Sequence, residues 1–330
     1  MTEVTARTAG ARRRPIAVGG SVLALALVLA ACHDSSPEPE ASAPSGPSAA
    51  APSVPGADWG LVWSDDFDGA AGSRPATANW MFSIGTGYPG GAPQWGTGEI
   101  QTMTDKPANA SLDGDGRLVV TPLRTGEGAG TWTSARLETR RTDFAAPAGG
   151  AVRIEATLKM PDVSGPAAAG YWAAFWALGA PARGAAATNW PHIGEWDIME
   201  NVNGRDSVWH TLHCGTPVQG PCGEPTGISS GELPCPGCRA DFHTFAIEHH
   251  REVAPEELRW FVDGKNTFTV RADKVDPGTW AAANQHGFFV ILNVAIGGAF
   301  PAPFGGGPTA ETKPGVPMLV DRVAVYTTGK

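Results

Sequence analysis

The sequence predicts an all-β domain, a β-sandwich of two antiparallel sheets whose concave side forms a cleft. Three observations carry this. The 330 residues include 43 Gly and 29 Pro, so turns are frequent and long helices are disfavoured. Between the turns stand short apolar or alternating runs of strand length. The pair Asp263-Gly264 closes one of these runs with the residue types of a tight hairpin turn. Strands that each bury one face are accommodated most economically by two sheets packed face to face.

Along the chain, Arg12-Arg13-Arg14 precedes an apolar stretch from Ile16 to Ala31 that is short for a membrane span and reads as an export signal. It ends in Leu29-Ala30-Ala31-Cys32, which is similar to a bacterial lipobox. Residues 1–31 are therefore expected to be a lipoprotein signal peptide. Cys32 is the expected lipidation site, anchoring the protein to the outer face of a bacterial membrane. An ordinary cleaved signal with an incidental cysteine, giving an extracellular protein, is the alternative, and both Sec and twin-arginine export fit the arginines. Residues 32–57 are mostly Pro, Ala, Ser and Glu. Such a segment buries too little apolar surface to offset its ordering entropy, so a disordered linker is expected.

Residues 58–330 then form one large domain, with no repeat visible. Its strand candidates include Gly116-Arg117-Leu118-Val119-Val120-Thr121, Val152-Arg153-Ile154-Glu155-Ala156-Thr157-Leu158 and Leu258-Arg259-Trp260-Phe261-Val262, the last followed by Asp263-Gly264. A net charge of −9 with no basic stripe argues against nucleic acid as a partner. A neutral polymer is compatible, a sulfated or uronic one less so. A monomer is expected.

The chemistry concentrates in Glu195-Trp196-Asp197-Ile198-Met199-Glu200. In a strand, Glu195 and Asp197 share a face, because side chains alternate with period two, and Glu200 is out of phase by one. A β-bulge between them would return Glu200 to that face. The two Glu Cα atoms would then lie about 13 Å apart at 3.3 Å per residue. With the side chains leaning inward, the carboxyl gap approaches the ~5–5.5 Å of retaining glycosidases. Like charges held this close raise one pKa, which suits an acid/base pair. A solvated strand edge is the alternative, but Trp196, Ile198 and Met199 make the opposite face apolar.

Cys214, Cys222, Cys235 and Cys238 fall in a Gly/Pro-rich region after this segment. Cys235-Pro236-Gly237-Cys238 has the spacing of a zinc knuckle, but an exported protein meets oxidising conditions that favour disulfides. Three pairings are possible, and the local one, Cys214 with Cys222 and Cys235 with Cys238, is preferred.

The run Trp190-Pro191-His192-Ile193-Gly194-Glu195-Trp196-Asp197-Ile198-Met199-Glu200 resembles the signature of glycoside hydrolase family 16, in its laminarinase-like (endo-β-1,3-glucanase) branch. Segments such as Leu61-Val62-Trp63-Ser64-Asp65-Asp66-Phe67-Asp68, Gly170-Tyr171-Trp172-Ala173-Ala174-Phe175-Trp176 and Leu292-Asn293-Val294-Ala295-Ile296-Gly297-Gly298 also resemble it, in the right order, across about residues 58–328. The resemblance implies a jelly-roll sandwich that cleaves β-1,3-linked glucan endo-wise with retention and requires no cofactor. Glu195 would be the nucleophile, Glu200 the acid/base, and Asp197 the carboxylate that steers both. It further implies that Trp190, Trp95 and Trp172 line the cleft, that Glu99 and Arg136 contact sugar hydroxyls, and that His213 meets the catalytic carboxylates from the adjacent strand.

A structural calcium on Asp321 and Asp66 is also expected from the resemblance, since Ca²⁺ takes hard oxygen ligands. Trp63 and Trp260 read as core. The chain departs from the family pattern at Trp196, at Thr97-Gly98 and at Ala299-Phe300-Pro301, which leaves a galactan substrate as an alternative. A non-catalytic surface protein that binds carbohydrate is the other, but all three carboxylates are present.

Overall fold

The computed structural model describes residues 58–329. The expected signal peptide, Cys32 and the linker lie outside the described residues. Two antiparallel sheets of eight strands each form the sandwich. One runs in the order Lys265–Arg271, Glu257–Val262, His243–His250, Ala151–Lys159, Met318–Thr327, Leu118–Val120 and Ala110–Leu112, with Gly60–Asp65 also paired to Met318–Thr327. The other runs Ile228–Ser229, Ser207–His213, Glu195–Val202, Tyr171–Gly179, Phe288–Ile296, Arg136–Thr139 and Trp80–Phe82, with Leu233–Pro234 paired to Ser207–His213. The former is here called the convex sheet, and the latter, the cleft sheet, carries the acidic segment.

Alternation explains the layers. Val152, Ile154, Ala156 and Leu158 point inward and are fully buried in the core, opposite residues such as Phe175, Val290 and Leu292 of the cleft sheet. The intervening Arg153 and Glu155 face outward yet are also buried. Arg153 donates from Nε to Glu155 Oε2 and from Nη1 to Glu248 Oε1, each at 2.7 Å, so none of these charges is left alone. The strand Phe288–Ile296 is buried along its whole length. One of its faces joins the sandwich core. On the other, Phe289 and Ile291 join Leu178, Ala182 and Ile193 in a small separate cluster at one end of the cleft.

The expected hairpin is present: Asp263 (φ 49°) and Gly264 (φ 75°) link Glu257–Val262 to Lys265–Arg271. The short helix Pro277–Asn284 was not foreseen as an element. Its start is nevertheless written in the sequence, because Asp276 accepts a hydrogen bond from Thr279 N at 3.0 Å and Pro277 stands at the first turn. The cysteines form two disulfides, Cys214–Cys222 and Cys235–Cys238.

Candidate active site

The strand Glu195–Val202 lies between Tyr171–Gly179 and Ser207–His213, and it contains the bulge that the acid spacing requires. Glu195 pairs with His213, Asp197 with Thr211 and Glu200 with Trp209. Positions 209, 211 and 213 are evenly spaced, so the interval from 197 to 200 carries one extra residue. On the other side Asp197 pairs with Trp176 and Met199 with Phe175, which leaves Ile198 without a partner. All three acids therefore face the cleft.

A bulge frees backbone groups that must be satisfied elsewhere when buried. Here the carbonyls of the bulge point into the sandwich, and core side chains meet them. Trp260 Nε1, from the convex sheet, donates to Asp197 O at 2.8 Å. His210 Nδ1 lies 2.8 Å from Ile198 O, and its Nε2 is 3.0 Å from Thr267 Oγ1 of the convex sheet. Burial pushes the His210 pKa down to about 4, so the ring is neutral, and a carbonyl partner places its proton on Nδ1. Trp260 is thus core, as read, but its indole N–H also braces the catalytic strand.

Trp95, Glu99, Arg136, Trp172 and Trp190 line the cleft with the three acids, and His213 stands against Glu195 and Asp197. Trp172 Nε1 donates to Glu200 Oε1 at 2.9 Å. Arg136 is buried, its guanidinium 4.4 Å from the ring centre of Trp95 and 4.7 Å from that of Trp176. Its Nη2 donates to Tyr88 Oη at 2.7 Å and its Nε to Glu138 Oε1 at 3.2 Å. Glu99 lines the same cleft and accepts from Thr97 Oγ1 at 2.8 Å and Gln101 Nε2 at 2.6 Å; burial raises its pKa. Trp95 is held in the left-handed region at φ 55°, and its buried Nε1 has no protein partner. Trp190 stands with its ring 5.4 Å from that of His213.

Tyr88, Trp176 and Asn293 also line the cleft and were not foreseen. The signal for Trp176 was present, since it falls in alternation with Trp172. Asn293, a lone polar residue in an apolar run, accepts from Trp176 Nε1 at 2.7 Å. Asp66 and Asp321 do not line the cleft. The Asp66 carboxylate accepts through Oδ1 from Arg322 Nη1 at 2.6 Å.

The electrostatics separate the two glutamates. Burial, then the adjacent Asp197, push the Glu195 pKa up to about 8, against the pull of His213 and Arg136. Glu200 is raised well above the ordinary carboxylate range by the same two causes, with the Trp172 N–H and a weaker His213 opposing. The cations stand on the Glu195 side, so Glu200 is the better proton holder and Glu195 the better anion. Burial opposes the charging of His213, but Asp197 and Glu224 outweigh it and raise its pKa well above normal. Atoms of Glu195, Asp197 and His213 lie within 4.8 Å of one another. Both His213 ring nitrogens face carboxylate oxygens, however, the pattern of a protonated ring with no lone pair for a metal.

Residues 133–233 match the family profile described as XgeA-like, catalytic GH16 domain. The chain is 33% identical over 273 residues to a beta-glucanase of Rhodothermus marinus, covering 81% of this chain and 85% of that one. It is 31% identical over 269 residues to the clotting factor G alpha subunit of Tachypleus tridentatus, of which it spans only 34%. The solved endo-1,3-beta-glucanase of Streptomyces sioyaensis shares 55% identity and a TM-score of 0.81, across 85% of this chain and 100% of that one. With this identity over most of both chains, and the same sandwich beneath it, the chain belongs to glycoside hydrolase family 16 and is a glycosidase.

Proposed function

We propose that this enzyme is an endo-acting, retaining hydrolase of β-1,3-linked glucan. The observation that carries the reading is the bulged strand that turns Glu195, Asp197 and Glu200 to one cleft, with cations beside Glu195 and an N–H donor on Glu200. The relatives named above, a beta-glucanase and an endo-1,3-beta-glucanase, support the substrate class. Glu195 attacks the anomeric carbon as the glycosidic C–O bond breaks, and Glu200 gives its proton to the leaving oxygen. Water then attacks the glycosyl-enzyme, Glu200 takes its proton, and the ester bond to Glu195 breaks. Asp197, between the two, disfavours a second negative charge nearby and so keeps the proton on Glu200. Release of reducing ends from laminarin, mixed-linkage glucan and unbranched galactan, measured in parallel, tests the substrate. Laminarin is expected to be cleaved fastest; preference for galactan would replace the glucan reading. The first product seen by NMR should be the β-anomer, and an α-anomer would rule out retention.

We also propose that Cys32 is lipidated and that the enzyme works tethered to the outer face of a membrane. The support is the Leu29-Ala30-Ala31-Cys32 sequence followed by a linker-like segment. The diacyl or triacyl group that a lipobox implies would anchor firmly where one chain would not. Cys32→Ser should move the protein from the membrane fraction to the medium or stall its processing. Wild-type protein found only in the medium, with a free N-terminus beyond Cys32, would rule this out.

A structural calcium at Asp321 is the third proposal. Burial raises the Asp321 pKa, and Asp66 and Asp113 add to this against Arg117 and Arg322, so a further cation there would be favourable. Arg322 engages only Oδ1 of Asp66, so Oδ2 of that carboxylate is left to offer. Thorough chelation should lower the melting temperature by several degrees, and an unchanged value would dismiss the ion.

A further inference from the structure

Glu224 does not line the cleft, yet it is bound tightly to His213, whose ring meets two acids that do. Its side chain is fully enclosed. Oε2 lies 2.6 Å from His213 Nδ1, and Oε1 accepts from Cys214 N at 2.9 Å. The Cys214–Cys222 disulfide closes the loop between histidine and glutamate. Gly227, at φ 68°, passes so close that a Cβ there would come within 2.9 Å of Nδ1. The ring is thus fixed from two sides. Its Nε2 faces the reacting acids, 3.3 Å from Asp197 Oδ2 and 3.9 Å from Glu195 Oε1. The Asp197 contact lacks hydrogen-bond alignment, and Oδ2 is buried without another donor.

We propose that Glu224 is a positioning residue for the nucleophile, acting through His213: it holds a proton on the imidazole that would otherwise sit on Glu195. This rests on the retaining mechanism above. The charged groups around the ring are few. Glu195, Asp197 and, farther along, Glu200 face it from the central strand, and Glu224 faces it from the disulfide loop. Arg136 acts on Glu195 from the strand Arg136–Thr139, and the ring of Trp190 is neutral. A buried set of three carboxyl groups readily keeps a proton, and Glu224 decides where it resides. Without the Glu224 charge, the Nε2–H bond breaks and an O–H bond forms on Glu195, with no net proton uptake. A neutral Glu195 cannot attack.

Glu224→Gln keeps the shape and an acceptor oxygen but removes the charge. The acid limb of its kcat/KM–pH profile should move up by about one pH unit while the alkaline limb stays, so activity on the acid side falls about tenfold. In ¹⁵N NMR of the wild-type enzyme at neutral pH, both His213 ring nitrogens should show the imidazolium signature, with the peak identified by its loss in His213→Gln. That ring should lose its proton at lower pH in Glu224→Gln. An unmoved acid limb, including a uniform drop at every pH, would overturn the proposal. So would a neutral His213 ring in the wild-type enzyme, a measurement that needs no stable variant. If the wild type cleaves none of the glycans, the proposed function fails, while the ring's protonation still decides the role of Glu224.

Discussion

Glu200→Gln is expected to fold normally and to lose at least about 10³-fold in kcat on laminarin, within the 10²–10⁴ that general acid catalysis supplies. Gln is nearly isosteric and its carbonyl oxygen can still accept from Trp172 Nε1, so the floor of the cleft has no reason to move. What disappears is the proton given to the leaving oxygen. An aryl glycoside whose leaving group needs no protonation should therefore still form the glycosyl-enzyme rapidly, giving a burst followed by slow turnover. Glu195→Gln should show no burst with either substrate, because no covalent intermediate can form. Retention of near-normal rates by either variant would refute the assignment, and a burst in Glu195→Gln would reverse the two roles.

Trp260→Phe should lower kcat by about 10²-fold with little change in KM, although the Trp260 side chain does not itself line the cleft. The substitution removes the donor to Asp197 O, and a buried carbonyl left unpaired costs about 1–3 kcal/mol. The strand can recover that only by turning the peptide, which displaces the carboxyls on either side of the bulge. A misplacement of 1 Å at a reacting centre costs on the order of 10²-fold. Trp280→Phe is the control: Trp280 is also buried and loses an Nε1 bond, at 2.8 Å to Glu256 Oε2, but it sits on the helix Pro277–Asn284. Both variants should lower the melting temperature, and only Trp260→Phe should lose kcat. Equal losses in the two, or full kcat in Trp260→Phe, would show that the brace does not matter.

The catalytic strand was legible because its information is local. The spacing of Glu195, Asp197 and Glu200 demands a bulge, and alternation along Trp172 to Trp176 is readable by eye. The hairpin at Asp263-Gly264 was legible for the same reason. The supports were not. Trp260 and His210 are one aromatic and one histidine in apolar runs, and nothing nearby in sequence says that their N–H groups meet carbonyls on another strand. Glu224 reaches His213 across a loop whose path depends on which cysteines pair, and three pairings were open. The burial of Arg153 and Glu155 is not visible in their strand's alternation, and only the neighbouring strands reveal that they are buried together. The ion pair of Asp66 with Arg322 was not legible either, because the two lie 256 positions apart in sequence.

The brace behind the bulge gears the two layers together. Trp260 and Thr267 belong to the convex sheet, yet one holds the peptide of Asp197 directly and the other the ring that holds Ile198. Any slip of one layer over the other would pull on two consecutive peptides between the nucleophile and the acid. The gap between those two carboxyls sets the stereochemistry of the product, so it is defined by the thickness and registry of the whole sandwich. On heating, hydrolysis should fade as the layers begin to loosen, before either sheet unravels. Substitutions that repack the far side of the core should surface as changes in turnover.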